Sequence, residues 1–407
     1  MMEGDDAAAY AALRTELEWP RGKALSREKF VLGISRLGEL AGGRGAEPLA
    51  ELAAAVAADP DKPDALYDLG YALIDAGAPA IAATVLWRCL AIVGDSEEVV
   101  TELVSALESS LAYPDALEVL EQHVALRARS FLARYLYAFN GAMSGRLAVT
   151  RAVLPELVAD SPETEALHAT IAGIVERANR VAGVCSLDAR DLRGWHYVLT
   201  GGLLSHRSPY GFDDPMHGRY AWLADSLPRI VTGIDRLVAL VQGLDLPCVY
   251  GAPGEDHELL GRAIATRLGI PVAPWPAVGV PAPGLVVFYD LADLSPANVA
   301  QLLPRRVDQV LYAHASPWTV DSPIAPDVTT LLYQSLVPPW AEGEGGGDVD
   351  MAGVESALAA SPGLDAEEQL VDDPAGWASL VAKTWPPEPG PRSRLWAGGP
   401  VSSSRFT

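Results

Sequence analysis

Leu52, Leu86, Leu120 and Leu154 stand 34 residues apart, and in the same frame Leu69 aligns with Leu103 and Ala82 with Ala116. Each period supplies two segments of helical spacing. Pro63–Ala76 is followed by Pro79–Ile92, and Glu97–Leu111 by Pro114–Leu126, with Asp59-Pro60 and Gly94-Asp95 at the joints. A helix pair of this size cannot bury its apolar stripe alone, so it must stack on its neighbours, and the expected product is an open superhelix. An irregular helical bundle has the same composition; the recurring Leu and Ala positions favour the repeat. Upstream, residues 6–42 read as two helices interrupted at Trp19-Pro20 and stopped by Gly42-Gly43, a capping element over 1–44. Downstream, Pro162–Val181 reads as the closing helix.

Leu69, Gly70, Ala82 and Leu86 stand at the positions where the tetratricopeptide repeat family places its large and small residues, and residues 45–182 resemble that family. The family's aromatic at the start of the first helix is replaced by Ala65-Leu66-Tyr67, and the third unit, Ser130–Val158, keeps only Leu154. The resemblance implies a concave groove that holds a peptide or helix of another protein, so a protein or peptide partner is expected there.

Beyond Val184 the period changes. Leu246–Tyr250, Val272–Trp275, Leu285–Tyr289 and Gln309–His314 are short apolar runs, with Glu258–Leu268 and Asn298–Leu303 between them as helices and Ile230–Gln242 as a helix in front. Strands this poor in polar residues, alternating with helices, predict an α/β domain over 183–340 with a parallel sheet covered on both faces. Residues 341–384 follow as an acidic linker with helices at Met351–Ala359 and Asp365–Lys383, and 385–407 as a Pro/Gly/Ser-rich tail, draped over the domain by Trp385 and Trp396. The fold class expected is therefore multidomain: an all-α helical-repeat superhelix followed by an α/β domain with a mainly parallel sheet. The stretches VYGAPGEDHELLGRAIATRLGIPVAPW and LVVFYDLADLSPAN faintly resemble a phosphoribosyltransferase-type domain. That family's Gly/Thr phosphate loop is replaced here by Tyr289–Pro296, so what the resemblance implies is a retained fold without the chemistry.

A formal charge of −23 repels nucleic-acid phosphate and anionic membrane, and neither is an expected partner. Three scattered cysteines, Cys89, Cys185 and Cys248, argue against a disulfide framework and for a reducing cytoplasm. The start MMEGDDAAAYAAL lacks the basic and apolar regions of a signal peptide.

Two groups of residues invite chemistry. Ligands of parallel α/β sheets sit beyond the carboxyl ends of strands, which draws attention to His257, Asp290, Asp293 and His314 as candidate catalytic residues. The second group is the stretch Arg193–Ser226, rich in aromatics and histidines, where His196, His206, Arg207, Asp213, Asp214 and Arg219 are candidate ligand-binding residues at a cleft. Gly251–Gly254 has the look of a phosphate loop, but Glu255, Asp256 and Glu258 set negative charge at the same helix end, and capping is the better account. No histidine spacing typical of a metal site occurs, so neither metal nor cofactor is expected. The reading that follows is a cytoplasmic scaffold that binds a partner through its repeats and carries a non-catalytic α/β domain, with a homo-oligomer possible. The alternative is an enzyme or small-ligand receptor, transferase- or hydrolase-like, working at the carboxyl-end crest of the sheet, and metal-dependent in the version where His257 or His314 joins Asp290 and Asp293 around a Mn²⁺ or Zn²⁺ ion.

Overall fold

Serine caps and left-handed turns set the rhythm of the N-terminal half in the computed structural model, which describes residues 2–209, 216–277, 281, 283–341, 351–360, 363 and 372–403. The chain divides into two units, Met1–Ile171 and Ala172–Thr407. The first runs through α1 (Met2–Leu17), α2 (Arg27–Gly43), α3 (Glu47–Ala58), α4 (Pro63–Asp75), α5 (Pro79–Val93), α6 (Glu97–Ser109), α7 (Tyr113–Gln122), α8 (Val124–Arg129), α9 (Phe131–Met143) and α10 (Leu147–Val153), and α11 (Pro162–Arg180) spans the division. Helices α4, α6 and α9 start at 63, 97 and 131, and α5, α7 and α10 at 79, 113 and 147, so both halves of the pair advance by 34 residues.

Local chemistry explains the rhythm. The Ser96 and Ser130 side chains accept hydrogen bonds from the amides of Val99 and Ala133, satisfying donors that the first turn of a helix leaves open. Past the C-terminus of the leading helix of each pair, the backbone turns left-handed at Gly77 (φ 74°), Leu111 (φ 58°) and Gly145 (φ 74°). Helices α4 and α5 approach so closely that a Cβ on Gly70 would lie 2.5 Å from Leu86 Cγ. Leu66, Leu69, Leu73, Ala82, Leu86, Val100, Leu103, Ala116 and Leu120 are fully buried in one continuous core. Leu52 and Leu154 are only half-buried. Leu154 lies in a short 3-10 turn, Leu154–Glu156, because Pro155 has no amide hydrogen with which to continue α10.

The second unit continues with α12 (Leu192–Thr200), β1 (Leu203–Leu204), β2 (Tyr220–Ala224), α13 (Leu227–Val241), β3 (Val249–Gly251), α14 (Glu255–Leu268), β4 (Gly284–Asp290), α15 (Pro296–Leu302), β5 (Pro304–Arg305), β6 (Gln309–Pro317), β7 (Val328–Val337), α16 (Met351–Ala360), α17 (Pro374–Thr384) and β8 (Gly390–Pro391). The main sheet has the order β1-β7-β6-β4-β3, with β2 also on β7, and all of its pairings are parallel. A helical unit followed by an α/β domain with a mainly parallel sheet is thus the architecture of the chain. Among the described residues no helix is long and apolar enough to cross a membrane.

Several sequence expectations for this unit are corrected. Val272–Trp275 is no strand; Val272 makes a single bridge to Val249. Strand β7, absent from the expectation, is central, and its Thr329 and Thr330 are fully buried. The described residues of Arg193–Ser226 supply most of α12 and all of β1 and β2, in keeping with the expected placement of the stretch in the α/β domain. The Pro/Gly/Ser-rich tail pairs Gly390–Pro391 antiparallel with β5 and buries Arg392. Gly251 and Gly261 serve packing: a Cβ on Gly251 would lie 2.8 Å from Glu258 Cα, and one on Gly261 3.1 Å from Gly251 Cα, so β3 and α14 touch through them.

Candidate functional site

On the first unit, α4 and α6 both pack their apolar stripes on α5, lie beside each other and leave a charged face. Together they carry Asp64, Asp68, Asp75, Glu97, Glu98, Glu102 and Glu108 and no lysine or arginine. Tyr71 stands on this face 49% exposed. Half-buried Tyr67 lies near enough to its neighbours that its phenol is pushed up, first by burial and then by the fields of Glu102, Glu98, Tyr71 and Asp68. Glu102 is itself raised by burial and by Asp75. These couplings place two tyrosines and several carboxylates of adjacent helices on one surface, an arrangement suited to cations on apolar stems.

Glu108 behaves differently from the rest. Its Oε1 accepts from Asn140 Nδ2 at 2.6 Å, and burial pushes its pKa up to about 7 against the lowering effect of that bond. Because the folded value lies above the unfolded one, the contribution to stability is complete below about pH 4.5 and is lost as pH rises through about 7, a difference of about 3 kcal/mol. Glu108→Gln is expected to remove that dependence and to stabilise the first unit by about 2–3 kcal/mol at about pH 8. The amide also brings a donor to Asn140 Oδ1, a buried acceptor without a partner. Urea unfolding of both proteins at about pH 5 and pH 8 is the check; equal slopes with pH would refute the assignment.

In the second unit the carboxyl ends of the strands meet around Asp225, directly after β2. Its Oδ2 accepts from Tyr289 Oη at 3.0 Å and His314 Nε2 at 2.9 Å, and its Oδ1 from the Ser226 amide at 2.8 Å and Arg229 Nη1 at 3.3 Å. Desolvation alone would raise this carboxyl, but His314, the Ser226 amide and Arg229 outweigh it and hold it below the usual range. Burial pushes the Tyr289 phenol far up, so it stays a donor. His257 Nδ1 accepts from the Tyr289 amide at 3.0 Å, which leaves its proton on Nε2, 3.4 Å from Asp293 Oδ2. Burial lowers the His257 pKa and keeps the ring neutral. Asp290 accepts from Tyr333 Oη at 2.5 Å, and its carboxyl is raised, chiefly by desolvation. The four candidates of the crest are therefore brought to one end of the sheet, but into separate partnerships: His314 with Asp225, His257 with Asp293, Asp290 with Tyr333. Trp340 closes over this end, its ring 4.8 Å from that of Tyr289 and its Nε1 donating to Asp256 at 2.6 Å. Asp225, Tyr289 and His314 are all buried beneath it.

The candidates of the Arg193–Ser226 stretch separate into two places. His206 Nε2 bonds Tyr220 Oη at 2.8 Å and its Nδ1 lies 3.3 Å from Asp372 Oδ2, while the Arg207 amide donates to Asp372 Oδ1 at 2.6 Å. Arg193 reaches the same carboxylate at 3.0 Å, and Arg236 joins it. Desolvation opposes ionisation of Asp372, yet His206 and the arginines hold its pKa down to about 2. His196 and Arg219 line a cavity elsewhere in the unit. Asp213 and Asp214 lie outside the described residues. Sequence reasoning missed Asp225, Asp372 and Arg236; the one available signal was Asp225 at a strand end, ahead of a helix that begins Leu227-Pro228.

Comparison with protein-family models and with curated proteins finds no match.

Proposed function

We propose that the chain is a cytoplasmic interaction scaffold whose helical-repeat unit holds a basic segment of a partner protein against α4 and α6, the α/β domain being non-catalytic. The observation that carries this reading is the pair of adjacent helices with six carboxylates besides the buried Glu108 carboxyl, no lysine or arginine, and an exposed Tyr71 beside Tyr67. A lysine or arginine side chain lays its methylenes on a tyrosine ring and its charge among carboxylates, so affinity and selectivity arise at the same place. The resemblance to tetratricopeptide repeats supports the same use, since such repeats hold peptides. The buried partnerships of Asp225 and His314 favour a structural role for the crest.

Selection from a random peptide library against the full-length protein tests the proposal. Enriched peptides are expected to contain lysine or arginine next to apolar residues. Their affinity is expected to fall at least about tenfold with Glu98→Lys/Glu102→Lys, with Tyr71→Ala, or in about 0.5 M salt. Enrichment of peptides without basic residues, or affinity indifferent to the charge reversal, would overturn it.

A further inference from the structure

Among the described residues three arginines are buried outright: Arg193, Arg219 and Arg392. Arg193 pairs with Asp372 and Arg392 with Asp327. Arg219, which precedes β2, has no carboxylate among the described residues. Among the described residues its guanidinium donates only to backbone carbonyls, to Val401 at 3.0 Å, Ser402 at 3.3 Å and Met216 at 3.4 Å, and its Nε meets no partner. Burial lowers its pKa to about 10, which leaves it charged at neutral pH. A buried cation facing only carbonyl dipoles is costly, and an anion relieves that cost.

The surroundings of Arg219 define what such an anion would be. The cavity it lines also receives His196, whose Nε2 has no partner and whose pKa burial and Arg219 lower to about 4, so the ring is neutral. The walls include Trp195, Trp318 and Trp396. Trp195 and Trp318 spend their indole N–H groups on the carbonyls of Asp188 and Tyr220, so toward the cavity they offer ring surface. Trp318 lies against the Arg219 guanidinium, 5.7 Å from its ring centroid. One cation and aromatic walls match one negative charge on an apolar body. A phosphate dianion would exceed the charge available.

Another wall is the strap Gly398–Val401. Gly399 has φ 146°, and a Cβ there would lie 3.2 Å from Leu199 Cδ1, so its conformation favours glycine, and the strap lies close over the cavity. In this arrangement the cavity measures about 30 Å³, enough for water and too small for an organic acid. The strap is held by the same N–H groups of Arg219 that would receive a carboxylate. Binding and opening are thereby coupled, because a carboxylate that takes Nε and Nη2 as a bidentate pair displaces the Val401 carbonyl.

We propose that Arg219 and His196 form the floor of a binding site for a small monocarboxylate with an aromatic or branched aliphatic body, and that the Gly398–Val401 strap is its lid. The test uses the full-length protein with benzoate, phenylacetate and hexanoate, the corresponding amides, and inorganic phosphate, read by tryptophan fluorescence and by hydrogen exchange of residues 396–401. At least one acid is expected to bind saturably, at least about tenfold more tightly than its amide, and to speed exchange of the strap. Arg219→Gln is expected to abolish the response. The acid-to-amide comparison needs no variant, and Trp396→Ala, a change in the half-buried wall, is expected to weaken binding should Arg219→Gln fail to fold. Equal binding of acid and amide, no saturable response up to about 10 mM, or tighter binding of phosphate would overturn the proposal. So would an Asp213→Asn/Asp214→Asn variant that reproduces the stability loss of Arg219→Gln, since the chain would then supply the counter-ion itself.

Discussion

Asp327→Ala is expected to cost the second unit about 3–5 kcal/mol, because it strips the anion from between two cations. The Asp327 carboxylate is fully buried and accepts from Arg305 Nε at 2.6 Å, Arg392 Nη2 at 2.7 Å and the Leu311 amide at 2.8 Å. Desolvation would raise its pKa, yet Arg392 and Arg305 outweigh that and hold it below the usual range. A depressed folded value means that this contribution is complete above the ordinary carboxylate pKa and disappears as pH falls through the folded one. Arg392 also donates to the carbonyls of Leu302 and Pro304, so losing its anion frees the C-terminal segment from β5. Urea unfolding of the variant, with hydrogen exchange of β6, β7 and residues 390–395, reads the effect. A loss under about 1 kcal/mol would mean that the two arginines find water or other acceptors at little cost.

Leu86→Ala and Leu120→Ala are each expected to destabilise the first unit by about 2–5 kcal/mol, and Glu118→Ala by less than about 0.5 kcal/mol. Leu86 and Leu120 are fully buried, whereas Glu118 is exposed. At Leu86 the cavity would open beside Gly70, which has no side chain with which to fill it. Leu52→Ala and Leu154→Ala, half-buried in the same frame, are expected to cost about 1 kcal/mol each, in proportion to the apolar area they cover. Thermal and urea melts of the four leucine variants separate the cases. Equal losses at all four would show that the 34-residue frame does not set the packing.

The helical unit was legible because its contacts are nearly local. A leucine at one position of a helix pair meets the next pair about 34 residues on, so the constraint recurs and leaves a period that can be read. Even the exceptions have local causes, such as Pro155 ending α10 beside Leu154. The acidic face was legible only as composition; which carboxylates share a surface with Tyr67 and Tyr71 follows from α4 lying beside α6.

By itself the sequence determined the helix pairs, the presence of a parallel sheet and Asp290 at the end of β4, since each of these rests on short-range pattern, whereas His314 lies inside β6 and His257 on α14. Tertiary structure alone decided who pairs with whom. Asp225 meets His314 across 89 positions, Asp327 meets Arg392 across 65, and Arg193 meets Asp372 across 179. An ion pair closed over such distances imposes no periodicity on either partner, so its members look like ordinary polar residues until the sheet brings them together. Strand β7 was hidden for the same reason: Thr330 reads as polar in the chain and becomes core only because its hydroxyl pairs with Tyr312 on β6 at 2.9 Å. Arg219 is the opposite case, a charge whose burial the fold fixed and whose counter-ion the described residues do not supply.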